Sequence, residues 1–268
     1  MNRRIDAPTE LAYRTLSAAP EGMKAERLAR AIFKLKGKIP KELAAMMLRQ
    51  ALGGDDQFEE EPGGAKWRLA EDLDPLHINN AVFTVVDLET TGGHPGYNRI
   101  IQVGAFRVER GRVGDCYMSM VHPGRRIPIQ ISLLTGIYDE HVADAPPFGE
   151  IAPRLAEFIG DTVFVGHNAR FDSGFIDTEM KRSGMPEMNN PVLCTLRLSR
   201  RLMRECRSHS LGAVAGSIGI EFADERHTAH GDAWATAKLL THFLGLLEQQ
   251  GIDTLEGVMR FQYSRKKK

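Results

Sequence analysis

Phe83-Thr84-Val85-Val86-Asp87-Leu88-Glu89-Thr90-Thr91-Gly92 is an apolar, β-branched run that ends in two acids one residue apart. Such a run favours a strand, and a strand sends alternate side chains to opposite faces, so Asp87 and Glu89 point the same way. Two carboxylates held side by side repel each other unless a cation sits between them. A hard divalent ion, which prefers oxygen ligands, fits that position. Taken alone, the pair favours the plainer reading of a half-buried strand whose two acids face water.

Two further acidic motifs follow. Val163-Phe164-Val165-Gly166-His167-Asn168-Ala169-Arg170-Phe171-Asp172 reads as a short apolar strand, a turn, and an acid near the start of a helix. His227-Thr228-Ala229-His230-Gly231-Asp232 opens a long, apolar-periodic helix over 233–247. The order D-x-E, N-x-x-x-D, H-x-x-x-x-D resembles the DEDD exonuclease superfamily, in its subgroup with a histidine base. That subgroup includes the proofreading subunit of bacterial DNA polymerase III, RNase T and oligoribonuclease. The resemblance runs from about Phe83 to Gln249. It takes in Leu134-Thr135-Gly136-Ile137 with Ala145-Pro146-Pro147, a segment common in polymerase-associated members.

The chain has 268 residues, enough for one large or two modest domains, and 42% of them are hydrophobic, which supports a real core. Formal net charge is zero, so any basic surface that meets nucleic acid must be local. The N-terminal Met-Asn-Arg-Arg-Ile-Asp lacks a signal-peptide core, and no stretch approaches a membrane span. Three cysteines, Cys116, Cys194 and Cys206, fit a reducing cytoplasm without disulfides.

Residues 1–75 read as a separate accessory unit. A helix from Thr9 to Ala18 is broken by Pro20-Glu21-Gly22. Ala25, Leu28, Ala29 and Ile32 recur with helical spacing, Gly37 ends that helix, and Pro40 opens a third carrying Leu43, Met47 and Ala51. Pro62-Gly63-Gly64 between Phe58 and Trp67-Arg68-Leu69 predicts a β-hairpin. Three short helices and a hairpin resemble, by pattern, a winged helix-turn-helix. Residues 1–54 hold eleven Lys or Arg against five Asp or Glu. Lys24, Arg27, Arg30, Lys34, Lys36, Lys38, Lys41 and Arg49 lie on helices two and three or between them, which suits either phosphate contact or a solvated face on a protein-docking domain. The acids Asp55, Asp56, Glu59, Glu60 and Glu61 argue against the hairpin gripping phosphate.

A linker is expected at 76–80, the catalytic unit at 81–250 and a C-terminal extension with a basic tail at 251–268. Strands over 82–88, 99–108, 113–121 and 163–165, with helices between and after them, indicate a mixed α/β sheet flanked by helices. The resemblance implies an RNase H-like fold with five strands. It also implies 3′→5′ exonuclease activity on single-stranded or frayed ends of DNA, with trimming of RNA ends as the alternative, and a DNA polymerase subunit as a candidate partner. A non-catalytic docking protein that keeps the fold is a third reading, disfavoured because all four acids and the histidine are present.

By the same resemblance, Asp87, Glu89, Asp172 and Asp232 hold two divalent ions, Mg²⁺ or Mn²⁺, with Asp87 bridging. His227 is the general base, since a neutral imidazole near pH 7 can take a proton from water. His230 is a rival base, but its bland reading as a packing histidine is preferred. Thr90, Thr91 and Gly92 are expected at the 3′ end of the substrate, and Leu134 and Thr135 at its terminal base. His167 and Asn168 either orient their turn or support the site. Ser199-Arg200-Arg201 and Arg204 are candidate phosphate guides, with a solvated basic helix as the default. Cys206-x-x-His209 with His227-x-x-His230 has zinc-like spacing, but structural zinc sites usually carry more thiolates. Gln102 stands where many relatives have an acid, and Cys194-Thr195 where many have Asp-Thr.

Overall fold

The computed structural model describes residues 7–17, 19, 21–53, 55, 58–70, 76–222 and 228–263. The chain divides into two compact units, residues 1–76 with 259–268, and residues 77–258.

In the smaller unit the order is α1 (Ala7–Ser17), β1 (Met23–Lys24), α2 (Ala25–Phe33), α3 (Lys41–Leu52), β2 (Phe58–Glu60) and β3 (Lys66–Leu69). The three strands pair antiparallel in the order β1-β3-β2. The helical stripe Ala25, Leu28, Ala29 and Ile32 is buried and packs with Leu48, Leu52 and Trp67. Gly22 has φ +77°, and a Cβ there would come 2.9 Å from the Trp67 carbonyl oxygen, so glycine lets β1 enter beside β3.

The larger unit is built on β4 (Val82–Thr90), β5 (Ile100–Glu109), β6 (Arg112–Met120), β7 (Val163–Gly166) and β8 (Val192–Cys194), in the order β6-β5-β4-β7-β8. The β4–β5 and β5–β6 pairs are antiparallel, and the β4–β7 and β7–β8 pairs parallel. Arg110 and Gly111 both take positive φ, as a two-residue hairpin turn of the primed type requires. Phe83, Val85, Val86 and Leu88 are all buried, so central β4 is covered on both faces. α4 (Ile129–Thr135), α5 (Asp139–Val142) and α6 (Phe148–Ile159) precede β7. α7 (Arg170–Arg182) joins β7 to β8, and α8 (Thr195–Leu202), α9 (Leu211–Ser217) and α10 (Ala229–Gln249) follow.

Residues expected as a linker are built into this unit from His77 onward. His77 bridges Thr254, and the Ile78 N–H donates to the Asp253 carbonyl at 2.8 Å. The expected C-terminal extension likewise contains a helix, α11 (Leu255–Phe261), whose Val258 is fully buried. No helix among the described residues is long and apolar enough to cross a membrane.

Candidate active site

Asp87 and Glu89 lie on one face of β4, opposite Gly104 and Gln102 of β5 in the antiparallel register. α10 crosses this face at its N-terminal end. A Cβ on Gly104 would collide with the Ala229 carbonyl, so only glycine lets the helix start lie this close to the sheet. The Ala229 N–H donates to Gln102 Oε1 at 2.9 Å, and Thr228 caps the helix by accepting the Gly231 N–H at 3.1 Å. These contacts put Asp232 in the first turn of α10 over the paired acids. Ligand oxygens of Asp87, Glu89 and Asp232 lie within 4.8 Å of one another, and this is the metal-compatible cluster among the described residues.

Asp172 enters from α7, after the turn that ends β7. It is 3% exposed. A Cβ on Gly166 would come 2.9 Å from Asp172 Oδ2, so the glycine at the end of β7 leaves the space this carboxylate fills. Asp172 stands outside the tight triple, yet its charge acts on Asp87. Burial, then Asp172, Asp232 and Glu89, push the Asp87 carboxyl well above its ordinary range. Burial raises Asp172 as well, against hydrogen bonds from its own N–H and that of Leu88. Burial and the neighbouring Asp232 push Glu89 up to about 8. Asp172, Asp232 and Glu89 hinder the ionisation of Asp87, and the four acids form an all-oxygen donor set suited to hard divalent ions, with Gly166 leaving the space that Asp172 fills.

The turn after Glu89 is tightly made. The β4–β5 register shifts between Glu89 and Thr90. The Thr90 hydroxyl donates to the Gly92 carbonyl at 2.8 Å, and Thr91 Oγ1 accepts the Arg99 N–H at 3.0 Å. Both threonines are buried, so their hydroxyls shape the turn. Gly92 has φ +153°, and a Cβ there would meet Asn98 Nδ2 at 2.6 Å. The far side of this turn is held by Glu179 on α7, which takes Arg99 at 2.6 and 3.0 Å and Arg182 at 2.8 Å while only 1% exposed. Arg182 also donates to the Gly96 and Asn98 carbonyls. Sequence reasoning did not single out Arg99, Glu179 or Arg182, because a clamp across the fold has no local signature.

Leu134 is 54% exposed on α4. Its neighbour Thr135 is buried, its hydroxyl donating to the Ile131 carbonyl and accepting the Ile137 N–H, which is helix-end chemistry rather than a ligand contact. Of the two roles open to His167, its contacts match the one that orients the turn. Its Nδ1 meets Thr195 Oγ1 at 3.0 Å and its Nε2 the His209 carbonyl at 2.9 Å, so both nitrogens brace β7 against the chain beyond β8. Burial lowers its pKa, favouring the neutral ring. Asn168 is exposed with φ +87°, a turn conformation that Asn tolerates better than most residues.

His227 lies outside the described residues, three of which, Thr228, Ala229 and His230, follow it directly. The His230 ring sits 5.1 Å from that of Phe106, a packing position. Cys206 Sγ lies 3.7 Å from Ser217 Oγ, and His209 Nδ1 lies 3.1 Å from Ser199 Oγ, contacts that give the zinc alternative no support.

Residues 84–240, more than half of the chain, match the exonuclease family model named for RNase T. This chain belongs to the exonuclease family. Among curated relatives, the PolC-type DNA polymerase III of Streptococcus sanguinis (strain SK36) is 34% identical over 201 residues, and that of Bacillus cereus 34% over 197. These alignments cover 72% and 71% of this chain but only 14% of each polymerase, so the exonuclease-family chain matches a small part of its relatives. Exonuclease X, solved with 5′-overhanging duplex DNA, superposes with a TM-score of 0.54 at 24% identity, over 67% of this chain and 99% of that one. E. coli exonuclease I, solved with a dT13 oligonucleotide, gives 0.57 at 21% identity, over 64% and 43%. The mixed five-stranded sheet with flanking helices is thus the RNase H-like fold of these exonucleases.

Proposed function

We propose that this protein is a metal-dependent 3′→5′ exonuclease that hydrolyses DNA to nucleoside 5′-monophosphates in proofreading or repair. The convergence of Asp87, Glu89 and Asp232, with Asp172 beside them, carries the reading. Asp87, Glu89, Asp172 and Asp232 would hold two divalent ions, Mg²⁺ or Mn²⁺. When bound, such ions would supply acidification of the attacking water and neutralisation of charge on the leaving oxygen. His227, as a neutral imidazole, takes the proton of that water. The water oxygen bonds to phosphorus, the bond from phosphorus to the 3′ oxygen breaks, and the released 3′ hydroxyl takes up a proton. The Thr90–Gly92 turn and the exposed Leu134 receive the 3′-terminal nucleotide, while the buried hydroxyls of Thr90, Thr91 and Thr135 hold the backbone around them in shape.

The DNA substrate is supported by relatives named as DNA polymerases and by neighbours solved with DNA. A polymerase as partner is consistent with the same names. The smaller unit runs helix, strand, two helices and a two-stranded wing, an order that supports a winged-helix-like accessory domain which brings nucleic acid to the site. The test compares 5′-labelled single-stranded DNA, mismatched duplex and RNA of matched sequence. Stepwise loss from the DNA 3′ end with 5′-monophosphate products, abolished by chelation, is expected. Hydrolysis that survives exhaustive chelation, or products bearing 3′-phosphates, would refute the metal-dependent reading. Faster loss of RNA than of DNA would reassign the substrate.

A further inference from the structure

The smaller unit carries a groove of about 970 Å³ between α1, α2 and the β1–β3 edge. Lys24, Arg27, Arg30 and Lys66 line it, with Glu26 as the one acid and Tyr263 on its wall. Two features of this lining oppose folding. Lys24 and Lys66 stand directly opposite each other on antiparallel β1 and β3, a like-charge pairing that costs stability. Arg27 and Arg30 lie three residues apart on α2, again like charges on neighbouring positions. Local relief is partial: Lys66 reaches Glu61 at 3.5 Å, and Arg30 Nε bonds the Glu26 carbonyl at 3.2 Å. Placing four cations against one another around a concavity makes physical sense when the occupant is a polyanion.

α3, the helix that a winged helix would offer to the DNA major groove, does not match that chemistry. Its outward residues include Glu42 and the exposed Leu43 and Met46. Its Arg49 is held by Glu60 at 2.7 Å through a bidentate contact. We propose that the Lys24–Arg27–Arg30–Lys66 groove, rather than α3, is the nucleic-acid contact of this unit, and that its occupant is the phosphodiester chain of a single strand with a base laid on Tyr263. A duplex presents its phosphates on a convex cylinder and cannot enter a cleft of this size, whereas a flexible strand can. A cationic groove with an aromatic wall is also the combination by which proteins hold single strands without reading sequence. The proposal rests on the polynucleotide substrate inferred above, and extends it to a second hold on the strand.

The test uses the full chain in chelator, so that binding is read without hydrolysis. Anisotropy of 5′-fluorescein dT20 is followed from about 50 to 200 mM NaCl. Replacing Lys24, Arg27 and Lys66 together by alanine should flatten the log–log salt slope by about 2, since each lost single-strand phosphate contact contributes about 0.7. Tyr263→Ala should weaken binding roughly tenfold with the slope unchanged, because stacking is not ionic. Lys41→Ala on α3 should match wild type. Circular dichroism melting reports whether each variant keeps its fold, and the Lys24→Gln single variant, with an expected slope change of about 0.7, serves if the triple variant does not. The proposal is overturned by a wild-type slope in the groove variants, by absence of dT20 binding, or by blunt duplex that binds as tightly through the same cations. Hydrolysis by the wild-type chain with Mg²⁺ is measured separately. Its failure would sink the exonuclease reading and leave the binding result to judge the groove.

Discussion

Both units press like charges together, and burial makes the difference between them. In the larger unit four carboxylates converge beneath α10, where loss of water and mutual repulsion push Glu89 up to about 8 and Asp87 and Asp172 well above their usual range. In the smaller unit four cations face a groove, with Lys24, Arg27 and Arg30 exposed. Exposed charges are screened by water and salt, so their repulsion is a tax of tenths of a kcal/mol that a passing polyanion can lift. Buried ones must be neutralised by protons or by a resident ion. The acidic site therefore suits protons or a divalent ion held among its oxygens, while the cationic groove suits a ligand that comes and goes.

Removing one acid tests this contrast most severely. Asp87→Ala should lower turnover by at least about 10³-fold, the effect of losing several kcal/mol of charge stabilisation. The same change should raise the melting temperature of the metal-free protein at pH 8, because it relieves repulsion. A lower melting temperature there would show that the acids do not strain the fold. His227→Ala should lower turnover roughly 10²–10⁴-fold, the usual contribution of a general base, with Mg²⁺ affinity kept. His230→Ala should stay near wild type, and the reverse pattern would move the base to His230.

Gly104→Ala tests how α10 is seated. The new methyl must displace the Ala229 carbonyl, which should cost about 1–3 kcal/mol by denaturant titration and a larger share of activity than of stability. The pH response comes next. Glu89 keeps its proton in the folded state to about pH 8, whereas an unfolded glutamate releases it near 4.5. Folding thus takes up a proton across that window, and metal-free stability should fall as pH rises through it. Saturating Mg²⁺ should flatten the decline, and equal pH profiles with and without metal would refute the assignment. At the small end, Lys24→Ala should leave stability within about 1 kcal/mol of wild type, on the stabilising side, through relief of the Lys66 pairing.

Much of the catalytic half was legible because its signals are local. The Val-rich run sets β4, and alternation along it puts Asp87 beside Glu89. Helical spacing located α2 through Ala25, Leu28, Ala29 and Ile32. The start of α10 was read four residues late. His230-Gly231-Asp232 resembles a loop by composition, but the Thr228 cap and the seating of Ala229 on Gln102 and Gly104 of the sheet hold it helical from Ala229. Gln102 and Gly104 were opaque for a different reason. Their meaning comes from the Ala229 backbone, more than a hundred residues further along the chain, and no window of sequence displays that contact. The choice between the two roles open to His167 was hidden for the same reason, since its partners at Thr195 and His209 lie beyond β8.

The seating of α10 on Gly104 has a consequence for biosynthesis. Asp87 is on the first strand of its unit and Asp232 on the last long helix, so almost the whole unit is translated before the two can meet. A nascent chain that has made its sheet still lacks one carboxylate and the helix that aims it. Products that end before residue 228 lack Asp232 and the helix that seats it, so the acidic cluster cannot assemble until synthesis of the domain is nearly complete.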